Sequence, residues 1–117
     1  MSPNETKEWK QKLVAPGKVL SKVKPGMSIF LGTGVAEPCT LVKSLLDSDA
    51  GNLRDLEFIQ LMSFGPAISI TKTQNHKFRL KTFFSGWVAS EEITSGRVDM
   101  VPTILSEIPA LIRSGVI

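Results

Sequence analysis

Ser28-Ile29-Phe30-Leu31-Gly32-Thr33-Gly34-Val35-Ala36-Glu37-Pro38-Cys39 is the stretch on which the fold reading turns. An apolar, β-rich run ends at Gly32. The chain then turns through Gly-Thr-Gly and restarts at Glu37-Pro38. Leu41, Val42, Leu45 and Leu46 follow at helical spacing. Proline at the first helical position and an acid in the first turn are helix-start signals. Glycines at the end of a parallel strand let a ligand approach the backbone closely. In open α/β sheets that crevice is where ligands bind.

Working outward, Glu5 to Val14 has helical composition, with Trp9 and Leu13 four apart. Ala15-Pro16-Gly17 breaks it. Lys18 to Val23 reads as a second short helix, and Lys24-Pro25-Gly26 as the turn before the first strand. Leu41 to Leu46 runs into a polar loop, Asp47 to Asn52. Leu56 to Met62 reads as a second strand, and Ser63-Phe64-Gly65-Pro66 turns after it. Ile68 to Asn75 is polar and β-branched and reads as a surface excursion. Phe78 to Phe84 alternates apolar and basic residues, a third strand. Ser85-Gly86 opens a short helix through Thr94, stopped at Ser95-Gly96. Val98 to Val101 is a fourth strand, closed by Pro102. Ser106 reads as an N-cap, with Glu107 and Pro109 in the first turn, Ile108, Leu111 and Ile112 as the apolar stripe and Gly115 as the stop. Ile29 to Leu31, Phe58 to Leu61, Leu80 to Phe83 and Val98 to Val101 are the expected core strands. Alternation of this kind predicts an α/β fold: a mostly parallel open sheet with helices on both faces.

The chain has 117 residues, enough for one small core, and 42% are hydrophobic, so a packed domain is expected. Its formal charge is +3, from 14 basic and 11 acidic residues. The lysines (Lys7, Lys10, Lys12, Lys18, Lys22, Lys24 and Lys43 toward the front) are scattered, with no aromatic residues between them. That predicts a solvated face and not a nucleic-acid partner. A single cysteine excludes an internal disulfide or a cysteine-rich metal site, and a single histidine, His76, leaves no histidine pair for zinc. The polar N-terminus does not read as a signal peptide, and no apolar run approaches the ~20 residues that span a bilayer. A cytoplasmic protein without a membrane partner is expected. Val116-Ile117 after Gly115 reads as the opening of another strand. Residues 1–117 are therefore expected to be part of a larger N-terminal domain, with the rest of it and a catalytic half absent.

Candidate site residues gather at the turn: Gly32, Thr33, Gly34, Ala36, Glu37 and Pro38. A dinucleotide fingerprint fits less well, because its third glycine falls on Glu37, against a pyrophosphate. Asp55 and Glu57 lie at the start of the second strand and not at its end. Glu37 reads most simply as a first-turn acid complementing the helix dipole. Glu107 reads likewise. Cys39 reads as a small buried packing residue. Trp9, Trp87, Phe83 and Phe84 read as core or domain-contact residues. His76, without a Gly-x-Ser-x-Gly element, gives no serine-hydrolase triad.

Four stretches in order resemble the N-terminal region of the acetyl-CoA hydrolase/transferase family, which includes 4-hydroxybutyrate CoA-transferase-like enzymes. They are Val23 to Pro38, His76-Lys77-Phe78-Arg79, Ser95 to Pro102 (a Gly-Arg-x-Asp-x-x-Pro run) and Leu105-Ser106-Glu107-Ile108-Pro109 with Leu111, Arg113, Ser114 and Gly115. The sequence departs from the family pattern at Val88 to Ser90. The resemblance implies transfer of coenzyme A between a short acyl-CoA and a small carboxylate, or hydrolysis of the thioester, through a glutamyl-CoA thioester. It implies coenzyme A as substrate with no resident cofactor. No metal is expected from the composition, and apolar surface expected near Leu111, Ile112, Val116 and Ile117 predicts a homo-oligomer. The resemblance places the nucleophilic glutamate downstream of this chain, so no catalytic residue is assigned within it. Glu37 and Glu107 match motif positions but not the nucleophile. The alternative is a non-enzymatic α/β module that binds a nucleotide or a protein.

Overall fold

Strands β1 (Ser28–Phe30), β2 (Leu56–Gln60), β3 (Phe78–Thr82) and β4 (Val98–Met100) form one parallel sheet in that order. The computed structural model describes residues 8–62, 65–68 and 77–117. Ile29, Phe58, Leu80 and Val98 stand side by side across the four strands. Side chains alternate faces along each strand. Leu56, Phe58 and Gln60 therefore share one face of β2, and Glu57 and Ile59 share the other.

Helices α1 (Pro16–Leu20), α2 (Cys39–Leu46), α3 (Trp87–Thr94) and α4 (Ile108–Ser114) cover the sheet. Leu20 of α1, Val42 and Leu45 of α2 and Ile93 of α3 pack with Phe58, Leu80 and Val98 on the first face. Phe58 and Leu80 are each 1% exposed, and burial of such a side chain contributes roughly 2 kcal/mol. Ile108 of α4 packs with Ile59 and Phe83 on the second face. Helices thus lie on both faces, as the alternation predicts.

The second face is apolar only toward the carboxyl ends of the strands. Toward the amino ends it carries charges paired across strands. Lys81 Nζ lies 2.7 Å from Glu57 Oε1, Ser28 Oγ donates to Glu57 Oε2 at 3.2 Å, and Arg79 donates to Asp99 at 3.3 Å. The basic residues that alternate with apolar ones in β3 belong to this ladder.

Several boundaries differ from the sequence expectation. The helical stretch over residues 8–11 does stop before Ala15-Pro16-Gly17, but α1 ends at Leu20, short of Val23, and begins earlier than expected, at Pro16 itself. That follows from proline's fixed φ, which suits the first helical turn. Pro38 is the N-cap of α2 and not its first residue, so Glu37 lies outside the helix in extended backbone. A 3-10 turn, Gly34–Ala36, separates β1 from α2. Ser106 does not cap α4: it lies in a 3-10 turn, Leu105–Glu107, and Glu107 takes the N-cap position with no side-chain cap bond. Gly115 does end α4 in the left-handed conformation, φ 72°. Strands β1, β2, β3 and β4 each stop one or two residues earlier than expected. The helix expected from Glu5 is helical over residues 8–11. His76 and the excursion from Ser69 to Asn75 lie outside the described residues, and the turn at Ser63-Phe64-Gly65-Pro66 only partly within them.

Candidate functional site

The glycine turn lies beyond the carboxyl end of β1 and is held from three sides. Thr33 provides the first hold. Its hydroxyl donates to the Met62 carbonyl at 2.8 Å and accepts from the Met62 N–H at 2.9 Å. Gly34 N–H donates to the same carbonyl at 3.2 Å. The turn is thereby fastened to the residue that follows β2. Gly34 has φ 56°, a backbone region that β-branched side chains avoid.

Close packing provides the second hold. A Cβ on Gly32 would run into the Ala36 carbonyl oxygen. The turn folds back on itself too tightly for any side chain at that position. Val35, at the tip, is fully exposed, and Ala36 is exposed beside it.

A buried polar cluster provides the third. Glu37 is 6% exposed and Gln60, the last residue of β2, is 0% exposed. Gln60 Nε2 donates to the Gly32 carbonyl at 2.7 Å and to Glu37 Oε2 at 3.0 Å. Ala67 N–H donates to Glu37 Oε1 at 2.8 Å. Gly65 lies against that carboxylate: a Cβ there would be 2.7 Å from Glu37 Cδ. A carboxylate buried in this way must be hydrogen-bonded to persist, and here it joins the turn, the end of β2 and the segment at Gly65–Ala67. Beside this cluster, the Thr82 hydroxyl at the end of β3 reaches the Leu61 carbonyl at 3.0 Å and the Phe84 carbonyl at 3.1 Å.

The six residues singled out from sequence do cluster at one corner of the sheet. They do not all face outward. The Glu37 carboxylate points into the protein, so the reading of Glu37 as a dipole-complementing first-turn acid is corrected. Gln60, Gly65, Ala67 and Met62 are partners that sequence reasoning missed. Gln60 left one trace: it is a carboxamide at the core-facing position of an otherwise apolar strand. Cys39 is exposed, contrary to its expected burial. Of the aromatic residues, Phe83 is core, whereas Trp9 is half-exposed and Trp87 is almost wholly exposed.

The Gly-Arg-x-Asp run has a structural part. Arg97 Nε donates to Glu92 Oε2 at 2.6 Å, and Glu92 is 1% exposed. That hydrogen bond raises the Arg97 guanidinium above its ordinary range. Asp99 accepts from Arg79 in the ladder described above. Among the described residues, no group of three or more His, Cys, Asp or Glu side chains could hold a metal ion. No helix among them is long and apolar enough to cross a membrane.

The acetyl-CoA hydrolase/transferase N-terminal domain family model matches residues 2–117. The chain is 28% identical over 105 residues to 4-hydroxybutyrate coenzyme A transferase of Clostridium kluyveri, covering 90% of this chain and 24% of that protein. It is 34% identical over 92 residues to succinyl-CoA:acetate/propanoyl-CoA:succinate CoA transferase of Fasciola hepatica, covering 78% of this chain and 19% of that protein. The chain therefore spans about a quarter or less of the length of these relatives. In fold it is similar to RipA from Yersinia pestis, with a TM-score of 0.68 at 23% identity, over 84% of this chain and 25% of that one.

Proposed function

The chain belongs to the acetyl-CoA hydrolase/transferase family, and from that premise we propose that it forms the N-terminal, substrate-facing part of an enzyme working on short acyl-CoA thioesters. The reaction is transfer of coenzyme A to a small carboxylate, or hydrolysis. Coenzyme A is substrate in this reading and not a resident cofactor. A glutamate carboxylate attacks the acyl carbonyl, the CoA thiolate leaves, and an acyl-glutamyl anhydride forms. The thiolate then attacks the glutamyl carbonyl and releases the acyl group as a carboxylate, leaving the glutamyl-CoA thioester. Two easier steps replace one hard one.

The observation that carries the reading is the glycine turn fixed at the carboxyl edge of a parallel sheet, the end where α/β proteins bind ligands. Its Gly34 N–H is already engaged by Met62. The turn therefore contributes close backbone approach and shape, and Gly34 is not the oxyanion donor. The nucleophile is assigned outside this chain. Glu37 supports that assignment, because its carboxylate is buried and bonded inward to Gln60 and Ala67.

The test is an NMR titration of this 117-residue chain with acetyl-CoA, paired with a CoA-release assay. Amide shifts should appear at Gly32, Thr33 and Gly34, with none at Gly51. No CoA should be released, with or without acetate, because positioning cannot replace the covalent nucleophile. An unshifted turn at saturating ligand would sink the site. Release above that of a mock purification would place the catalytic group within this chain.

A further inference from the structure

We propose that Gln60 is a positioning residue: a carboxamide strut that sets the shape of the glycine turn from inside the sheet. The ligand side of this inference rests on the acyl-CoA reading above. The strut itself rests on geometry alone.

A strand residue that faces the core between two helices is ordinarily apolar. Gln60 occupies such a position and is 0% exposed. Its carboxamide nitrogen donates both hydrogens, in the diverging directions of a planar amide. One meets the Gly32 carbonyl at 2.7 Å and the other meets Glu37 Oε2 at 3.0 Å. Those two acceptors flank the turn, one before Thr33-Gly34 and one after Ala36. A single planar group therefore fixes the distance between the entry and the exit of the turn. Glu37 passes the restraint on, through its other oxygen, to Ala67 N–H at 2.8 Å.

The orientation of the carboxamide is determined by its neighbours. Reversed, it would set Oε1 against a carbonyl and a carboxylate. As placed, Oε1 has no hydrogen-bond partner among the described residues. A buried acceptor left without a partner is costly, so the two Nε2 bonds outweigh that cost. Few other side chains do this. Asparagine is a methylene shorter. Lysine would bring a buried charge, and leucine or methionine would leave the Gly32 carbonyl and the Glu37 carboxylate without this donor.

The experiment compares wild type with Gln60→Met in the 117-residue chain by amide NMR, first without ligand and then with acetyl-CoA. In the wild type, the Gln60 carboxamide protons should be shifted downfield and exchange slowly. In Gln60→Met, the Gly32, Thr33 and Gly34 amides should move while Phe58 and Leu80 stay in place, and acetyl-CoA should bind about tenfold more weakly, equal to ~1.4 kcal/mol. Unmoved turn amides in Gln60→Met would overturn the strut. Moved amides with unchanged acetyl-CoA affinity would overturn the positioning role and leave the acyl-CoA reading standing. A wild-type chain that does not bind acetyl-CoA removes that reading, and the ligand-free amides then decide the strut. Where Gln60→Met does not fold, the exchanged pair Gln60→Glu with Glu37→Gln restores the bond across the turn in reverse. It still leaves the Gly32 carbonyl without its donor, so the same amides are read on it.

Discussion

Gly65 and Gly51 separate two reasons for a glycine at the scale of single residues. A Cβ on Gly65 would press on the buried Glu37 carboxylate, whereas one on Gly51 would meet nothing within 4 Å. The carboxylate cannot retreat, because Gln60 and Ala67 hold it from other sides. Gly65→Ala should therefore destabilise the chain by roughly 2 kcal/mol, against within about 0.5 kcal/mol for Gly51→Ala, as expected of exposed sites. Equal urea midpoints for the two variants would show that the carboxylate is not fixed. Gly34→Val tests a different property, the positive φ of 56°. It should cost about 1–2 kcal/mol while leaving the fold intact, and it should abolish the acetyl-CoA shifts at the turn. Wild-type affinity in Gly34→Val would count against the turn as the site. The glycines were legible in the sequence because a strand-turn-helix is a local pattern. The Gln60–Glu37 bond was not, because it joins residues 23 positions apart that only the sheet brings together.

At the scale of elements, the strands, most helices and the start of α3 at Gly86 were legible in the sequence, and the starts of the other three helices were not. Pro16 and Pro38 carry the same signal, yet one is the first residue of α1 and the other precedes α2. The difference is tertiary. The tie from Glu37 to Gln60 keeps Glu37 extended, so α2 cannot begin before Pro38. The end of α3 shows the opposite case, a local signal with a tertiary purpose. Ser95-Gly96 stops the helix, and Arg97 then turns back to Glu92 through both its backbone and its side chain. Removing one partner from a buried pair costs more than removing one from an exposed pair. Arg97→Met should lower stability, because it takes from the buried Glu92 carboxylate the hydrogen bond of Arg97 Nε. Arg79→Met, whose pair with Asp99 is largely exposed, should cost at most about 1 kcal/mol. The Arg97 contribution is present below the ordinary arginine range, and because the folded-state pKa is raised it is lost only as pH climbs through that higher value. Denaturant melts should therefore show the same gap between the two variants across neutral pH. A gap that closes there would overturn the assignment of the stabilisation to the Arg97–Glu92 pair.

At the scale of the whole molecule, the described residues leave apolar surface in three regions. Following the carboxyl ends of β1, β3 and β4 stand Val35, Trp87, Ile104 and Leu105, all well exposed. Around the free edge of β1, a groove is lined by Val19, Val23, Ile29, Phe30, Leu41 and Leu45. On the second face, α4 leaves Ile112 half-exposed, with Val116 exposed just beyond it. A free parallel edge beside an apolar groove is a template for pairing with another chain, and exposed patches of this kind drive association. The sequence pointed to the region around Leu111, Ile112, Val116 and Ile117. It did not reveal the β1 edge, because an edge is a property of strand order and not of any one strand. We therefore expect the chain to self-associate in a concentration-dependent way, measured by light scattering after size exclusion. Phe30 is 49% exposed and Val116 is 62% exposed, so a lysine at either should disturb the core little. If β1 supplies the contact, Phe30→Lys should shift the species toward monomer and Val116→Lys should not. The reverse pattern would place the contact on α4. A wild-type chain that is monomeric at every concentration would show that neither surface associates without a different partner.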